Sequence, residues 1–349
     1  MIPRPGPAIR LAGLLFTAFL ISACTPTRQP IGESLSTPSL NETHFITADE
    51  ITLPLRVWRP EGMYRQWGPD NPRAVILALH GFNDYSHAFE RPGAYFADQG
   101  IITYAFDQRG FGQAPHRGLW AGADIMADDA RALLTLLAAR WPNVPLYLLG
   151  DSMGGAVTLT LLAAPMPVEI SGAILIAPAV WGRKVMNPLQ SATLWLAAHT
   201  LPWMTLTGRH LKIQASDNIP MLMALSQDPL MIRETRIDTI YGLVDLMDAG
   251  LSSAPWVETP LLVFYGGEDQ VIPKKSMAAL VEALADNKHR FALYEGGNHM
   301  LLRDLGAQIV YEDILAWIAG RQAGQNLPLP SGADRDVLER WEKARAQDD

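Results

Sequence analysis

Short apolar strand patterns alternate with helical ones from His44 onward, and that alternation constrains the fold more than any other feature of the chain. Ile51 to Trp58 reads as a strand, and Ala74 to Leu79 as a buried one, because its apolar run is unbroken. Ala88 to Gln99 reads as a helix stopped by Gly100, and Ile101 to Phe106 as the next strand. Asp124 to Arg140 is a helix with apolar residues at 126, 130, 133, 134 and 137 and with acids in its first turns. Pro145 to Leu149 is a strand, Met153 to Ala164 a helix and Gly172 to Ile176 a strand. The rhythm resumes with a strand at Leu261 to Tyr265, a helix near Pro273 to Ala285, a strand at Phe291 to Tyr294 and a final helix with Leu305, Ile309, Ile314, Trp317 and Ile318 on one stripe. Strands alternating with helices imply a mostly parallel central sheet covered on both faces.

Between these halves, residues 181–250 show no such alternation and are rich in Trp and Met, so they read as a helical insertion. The expected domain spans 44–320 with this cap at about 181–250. A polar tail over 321–349 receives no function.

With 48% apolar residues among 349, the chain can bury a large core. Its net charge of −8 lacks the basic footprint of a nucleic-acid binder. Its one cysteine, Cys24, excludes an internal disulfide and a cysteine-rich metal site. Arg4 and Arg10, the apolar run Leu11 to Ile21 and the small pair Ser22-Ala23 form the three parts of a secretory signal. Eleven apolar residues are too few to span a bilayer as a helix. The run Leu20-Ile21-Ser22-Ala23-Cys24 resembles the bacterial lipoprotein box. That resemblance implies a signal peptide over 1–23, a lipid on Cys24 and attachment to the cell envelope. Thr25, rather than Asp, favours the outer membrane. Residues 24–43, rich in Pro, Ser and Thr, read as a flexible linker after the lipidated cysteine.

Gly150-Asp151-Ser152-Met153-Gly154 places G-x-S-x-G between a buried strand and a helix. A sharp strand-to-helix turn crowds the backbone, so small residues are required two positions either side of the serine. The turn lifts the Ser152 hydroxyl and leaves the Met153 N–H at a helix start, free to stabilise an oxyanion. A serine nucleophile needs a base, and the base needs an orienting acid, in the chain order Ser, acid, His. His299, in Gly296-Gly297-Asn298-His299, lies just past a strand and is the candidate base; His289 would face the opposite edge. Asp269 follows the preceding strand and is the candidate acid, with Glu268 as the alternative. The N–H of Phe82, in His80-Gly81-Phe82, is the second candidate oxyanion donor, and the His80 ring is expected to hold its loop by hydrogen bonds.

These segments, together with Asp107-Gln108-Arg109-Gly110-Phe111-Gly112, Gln227-Asp228-Pro229-Leu230, Gly266 to Pro273 and Tyr294 to His299, resemble the monoacylglycerol lipase and lysophospholipase branch of the α/β-hydrolases over roughly residues 45–320. The resemblance implies an α/β-hydrolase fold with a helical cap inserted after the sixth strand. It also implies Ser152, Asp269 and His299 as the triad, with Phe82 and Met153 as oxyanion donors, and a lid over an acyl pocket. The expected activity is hydrolysis of monoacylglycerols or lysophospholipids without metal or organic cofactor. Acyl transfer and cleavage of small or aryl esters are alternatives on the same fold, and a non-catalytic lipid-binding lipoprotein is the alternative of another class. Asp151 stands where His or Glu is commoner, and Phe111 where His is frequent. An acid beside the serine is expected to raise the pKa of His299.

Overall fold

A computed structural model describes residues 25–60, 70–208, 213–284, 288–335 and 337. The signal segment 1–23, Cys24 and the tail from 338 lie outside the described residues. The strands are β1 (Ser39–Leu40), β2 (His44–Ile46), β3 (Thr52–Trp58), β4 (Ala74–Leu79), β5 (Ile101–Phe106), β6 (Leu146–Asp151), β7 (Gly172–Ile176), β8 (Thr205–Leu206), β9 (Thr235–Arg236), β10 (Leu261–Gly266) and β11 (Arg290–Tyr294). The helices are α1 (Glu90–Asp98), α2 (Ala123–Arg140), α3 (Met153–Leu162), α4 (Pro188–Thr200), α5 (Ile219–Gln227), α6 (Ile237–Ser253), α7 (Lys274–Ala283) and α8 (Ala307–Ala323).

The large sheet has the order β1-β2-β3-β5-β4-β6-β7-β10-β11. From β5 to β11 every pairing is parallel, and β3 joins β5 antiparallel. Successive side chains of a strand point to opposite faces, and both faces here are covered. In β4, Val75, Leu77 and Leu79 face a layer built by α2, α3 and α6, with Leu133, Val157 and Leu246 among its members. Ala74, Ile76 and Ala78 face the other layer, where Phe96 of α1 and Ile314, Trp317 and Ile318 of α8 pack. That two-sided burial is why the central strands are continuous apolar runs. The fold is that of an α/β-hydrolase, as the resemblance implied.

Three boundaries differ from expectation. The insertion follows β7, and its cap part ends at the two-stranded ribbon of β8 and β9, earlier than residue 250. Helix α6 belongs to the body. Its Leu246, Met247 and Leu251 are buried in the core, and Gly250 lets its backbone approach Ala156 of α3 so closely that an added Cβ would stand 3.2 Å from the Ala156 Cα. A buried helix without an adjoining strand pattern is indistinguishable in sequence from part of an insertion.

Secondly, the segment read as a free linker lies on the body from Thr27 onward. The Thr27 N–H donates to Asp238 at 3.2 Å, the Gln29 N–H to the Trp120 carbonyl at 2.9 Å and the Gln29 amide to the Leu119 carbonyl at 2.6 Å, while β1 pairs with β2. Backbone hydrogen bonds, which composition does not report, hold it there. Thirdly, the tail begins inside α8 and then returns along β11. The Leu293 N–H donates to Ala333, Arg290 pairs with Asp334, and Leu329 is buried.

Candidate active site

Ser152 caps α3 at the C-terminal end of β6, with φ 50° and ψ −110°. Positive φ is unfavourable for a residue carrying a Cβ, so this turn persists only because its surroundings enforce it. The Ser152 N–H donates to Ile176 of β7, and the Ser152 carbonyl accepts from Gly155 and Ala179, each at 2.9 Å. The flanking glycines are sterically required. A Cβ at Gly154 would sit 2.0 Å from the Leu79 carbonyl oxygen, and one at Gly150 would sit 2.5 Å from the Gly154 oxygen. We expect Gly154→Ala to lower stability by about 3 kcal/mol, the upper range for overpacking, visible as a fall in Tm. An unchanged Tm would mean that β4 and α3 can separate.

The loops after β10 and β11 bring the other two groups to this turn. His299 Nε2 lies 3.0 Å from Ser152 Oγ, and His299 Nδ1 lies 2.8 Å from Asp269 Oδ2. A carboxylate only accepts, so Nδ1 carries the proton and Nε2 is left to accept from the serine hydroxyl. Asp269 is itself held, its Oδ1 accepting the N–H groups of Val271 at 2.7 Å and Ile272 at 2.9 Å. Glu268, the alternative acid, is exposed, whereas Asp269 and His299 are buried. His289 lies at the far edge, with its Nδ1 accepting the Leu261 N–H at 3.3 Å.

Burial disfavours the charged form of His299, but the hydrogen bond and charge of Asp269, joined by the charge of Asp151, outweigh it and raise the pKa above the usual histidine value. Asp151 acts in the expected direction. Its own carboxyl is pushed up to about 6, chiefly by burial, while the charges of Arg303 and His299 pull the other way.

The β4 loop passes beside the serine, since a methyl group at Gly81 would stand 3.5 Å from Ser152 Cβ. His80 Nδ1–H donates to the Gly81 carbonyl at 2.8 Å, and its Nε2 accepts the Gln108 N–H at 3.0 Å. Burial holds this ring below the usual histidine pKa, in its neutral form. Phe111 wedges edge-on against both the His80 and Phe82 rings, with centroids 5.6 Å away in each case. Phe82 follows this loop, and Met153 opens α3, where a first-turn N–H has no carbonyl four residues earlier to bond. The arrangement can pass a proton from a hydroxyl to an imidazole.

Sequence reasoning missed the polar groups behind this constellation. Asp304 accepts the Asn298 N–H at 2.8 Å and the Ser216 hydroxyl at 2.6 Å, so it ties the residue before His299 to the cap. Arg303 pairs with Asp84 of the β4 loop. The basic-acidic pair four and five residues after His299 was the only local signal. Among the described residues, no group of three or more His, Cys, Asp or Glu is placed to hold a metal ion.

The family model described as "Serine aminopeptidase, S33" (Hydrolase_4) matches residues 70–306. The monoglyceride lipase of Mus musculus is 27% identical over 319 residues, covering 88% of this chain and 99% of that protein. The monoacylglycerol lipase of Mycolicibacterium smegmatis is 25% identical over 260 residues, covering 73% and 92%. A soluble variant of the monoglyceride lipase of Saccharomyces cerevisiae, solved with a substrate analog, superposes with a TM-score of 0.67 at 20% identity, covering 84% of this chain and 99% of that one. With more than half of its length inside the family model, the chain belongs to the Hydrolase_4 family of α/β-hydrolases and is a serine ester hydrolase.

Proposed function

We propose that the chain hydrolyses esters carrying one long acyl chain, monoacylglycerols or lysophospholipids, with Ser152 as nucleophile, His299 as base and Asp269 as its orienting acid. The observation that carries this reading is the unbroken hydrogen-bonded line from Ser152 Oγ through the His299 ring to Asp269. Ser152 Oγ attacks the acyl carbon as its proton passes to His299 Nε2, and the oxyanion is held by the N–H groups of Phe82 and Met153. Collapse breaks the carbon–oxygen bond to the alcohol, which leaves with the proton from Nε2. Water, deprotonated by the same nitrogen, then releases the acid and restores the serine.

The substrate class is supported by the names of the relatives and by the cap. Helices α4 and α5 carry no Lys, Arg, Asp or Glu, and of their residues only Ala198 is buried. Leu189, Trp195, Leu196, Ile219 and Met223 stand exposed on them. Such uncharged exposed helices suit contact with lipid.

The proposed lipid on Cys24, with placement at the outer membrane, fits that surface. Thr27 and Arg28 line a cavity of about 310 Å³ together with Trp120, His199, Tyr241 and Asp245, and His199 stacks on Trp195 at 4.4 Å. An anchor joined to Thr25 would therefore leave the body on the cap side. A Cys24→Ser protein is expected in the soluble fraction, and wild-type protein found there too would remove the anchor from the proposal.

The substrate test is a chain-length series on detergent-solubilised protein. Each methylene buried in the pocket adds up to ~0.8 kcal/mol, so kcat/KM for monoacylglycerols is expected to rise from short chains to a plateau. A steady fall beyond short chains would identify a small-ester or aryl esterase instead. Products analysed with and without an acceptor alcohol separate hydrolysis from acyl transfer.

A further inference from the structure

Behind the Ser152 turn lies a buried charge cluster that the proposed reaction does not use. Its centre is Arg303, which is 7% exposed and four residues after His299. The Arg303 Nη2–H donates to Asp84 Oδ2. Asp84, also buried, lies two residues after Phe82; its N–H donates to Gly81, and its Oδ1 accepts the Tyr85 N–H at 2.8 Å. The backbone of Arg303 is fixed as well. Its N–H donates to Met300 at 2.7 Å, and its carbonyl accepts from Asn218, the cap residue of α5, at 3.0 Å. One side chain thus joins the loop after β4 to the loop after β11. Those are the two loops that must keep register with Ser152 for any oxyanion chemistry.

We infer that Arg303 is a positioning residue that locks the Phe82 loop to the His299 loop and sets its positive charge beside the base. The inference rests on the proposed role of Ser152. Among the described residues, Asp84 faces this region from the β4 loop, Asp107 from the β5 loop, Asp151 from the end of β6 and Asp269 from the β10 loop, with the His80 ring at the end of β4 and the Tyr311 hydroxyl from α8. Four carboxylates therefore stand around one guanidinium and two imidazoles. Asp269 and Asp151 favour protonation of His299, and Arg303 opposes it. The base works only when neutral. Without Arg303, His299 would stay protonated to higher pH, and the acidic limb of the rate profile would move up.

Two variants test this on the full-length protein, with kcat, KM and the pH profile measured on a soluble p-nitrophenyl ester. Arg303→Lys keeps the charge but loses the planar fork. It is expected to keep the wild-type acidic limb and KM while kcat falls about 10- to 100-fold, the scale of a small misplacement of reacting groups. Arg303→Met with Asp84→Asn removes both partners and so leaves no unpaired buried charge between them. It is expected to lose kcat similarly and to shift the acidic limb upward, by less than loss of the Arg303 charge alone would, because the Asp84 carboxylate goes with it. Wild-type kcat and acidic limb in both variants would overturn the inference. Failure of both to fold would overturn it equally, by making Arg303 a folding residue only. Fluorophosphonate labelling that is present in the wild type and lost in Ser152→Ala separates this outcome from failure of the Ser152 assignment, in which the label would persist in that variant or be absent from the wild type.

Discussion

Ser152→Ala is expected to abolish fluorophosphonate labelling and to lower kcat by about 10⁶, the scale seen when a triad nucleophile is removed. The structure explains why no neighbour would take over. His299 Nε2 lies 3.0 Å from Ser152 Oγ, and its other nitrogen is committed to Asp269. The backbone of Ser152 is pinned at φ 50° by hydrogen bonds from both sides. Alanine keeps the Cβ and those backbone bonds, so Tm is expected within a few degrees of wild type. Loss of activity with an intact melting transition would locate the defect in the hydroxyl. Labelling that persists would show that another residue is the nucleophile.

The sheet was legible in the sequence because burial on both faces forces unbroken apolar runs. Ala74 to Leu79 and Leu261 to Tyr265 could be read as central strands for that reason alone. Ser152, Asp269 and His299 could be named together because each follows such a strand, and the carboxyl ends of parallel strands share one edge of the sheet. The choice of Asp269 over Glu268 had no equally firm sequence basis. In space the two differ plainly, one buried beside the imidazole and the other exposed.

What failed was whatever depends on a contact between distant segments. Helix α6 looked like part of the cap because its burial comes from packing on distant elements, as where Gly250 meets Ala156, a pairing with no local signature. The same holds for Asp84 and Arg303, which are 219 residues apart. Docking of residues 27–29 was hidden by a composition suited to a loose tether, because their partners are the backbone of Leu119 and Trp120 and a carboxylate on α6.

Asp269→Asn is expected to fold and to lose about 10⁴ in kcat, by analogy with other orienting acids. The amide can donate where the carboxylate only accepted. It would favour the neutral imidazole tautomer with its proton on Nε2, which cannot take a proton from Ser152. The pH profile supplies a second readout of opposite sign to that of the Arg303 variants. In the wild type, burial lowers the His299 pKa, and the hydrogen bond and charge of Asp269 are the principal effects that raise it. Without them burial dominates, so the residual activity should persist to lower pH, with its acidic limb moved down. Glu268→Gln, at an exposed position, should leave both kcat and the limb unchanged. A crippled Glu268→Gln enzyme beside a mild Asp269→Asn would transfer the role of the acid by one residue and refute the geometry described for His299.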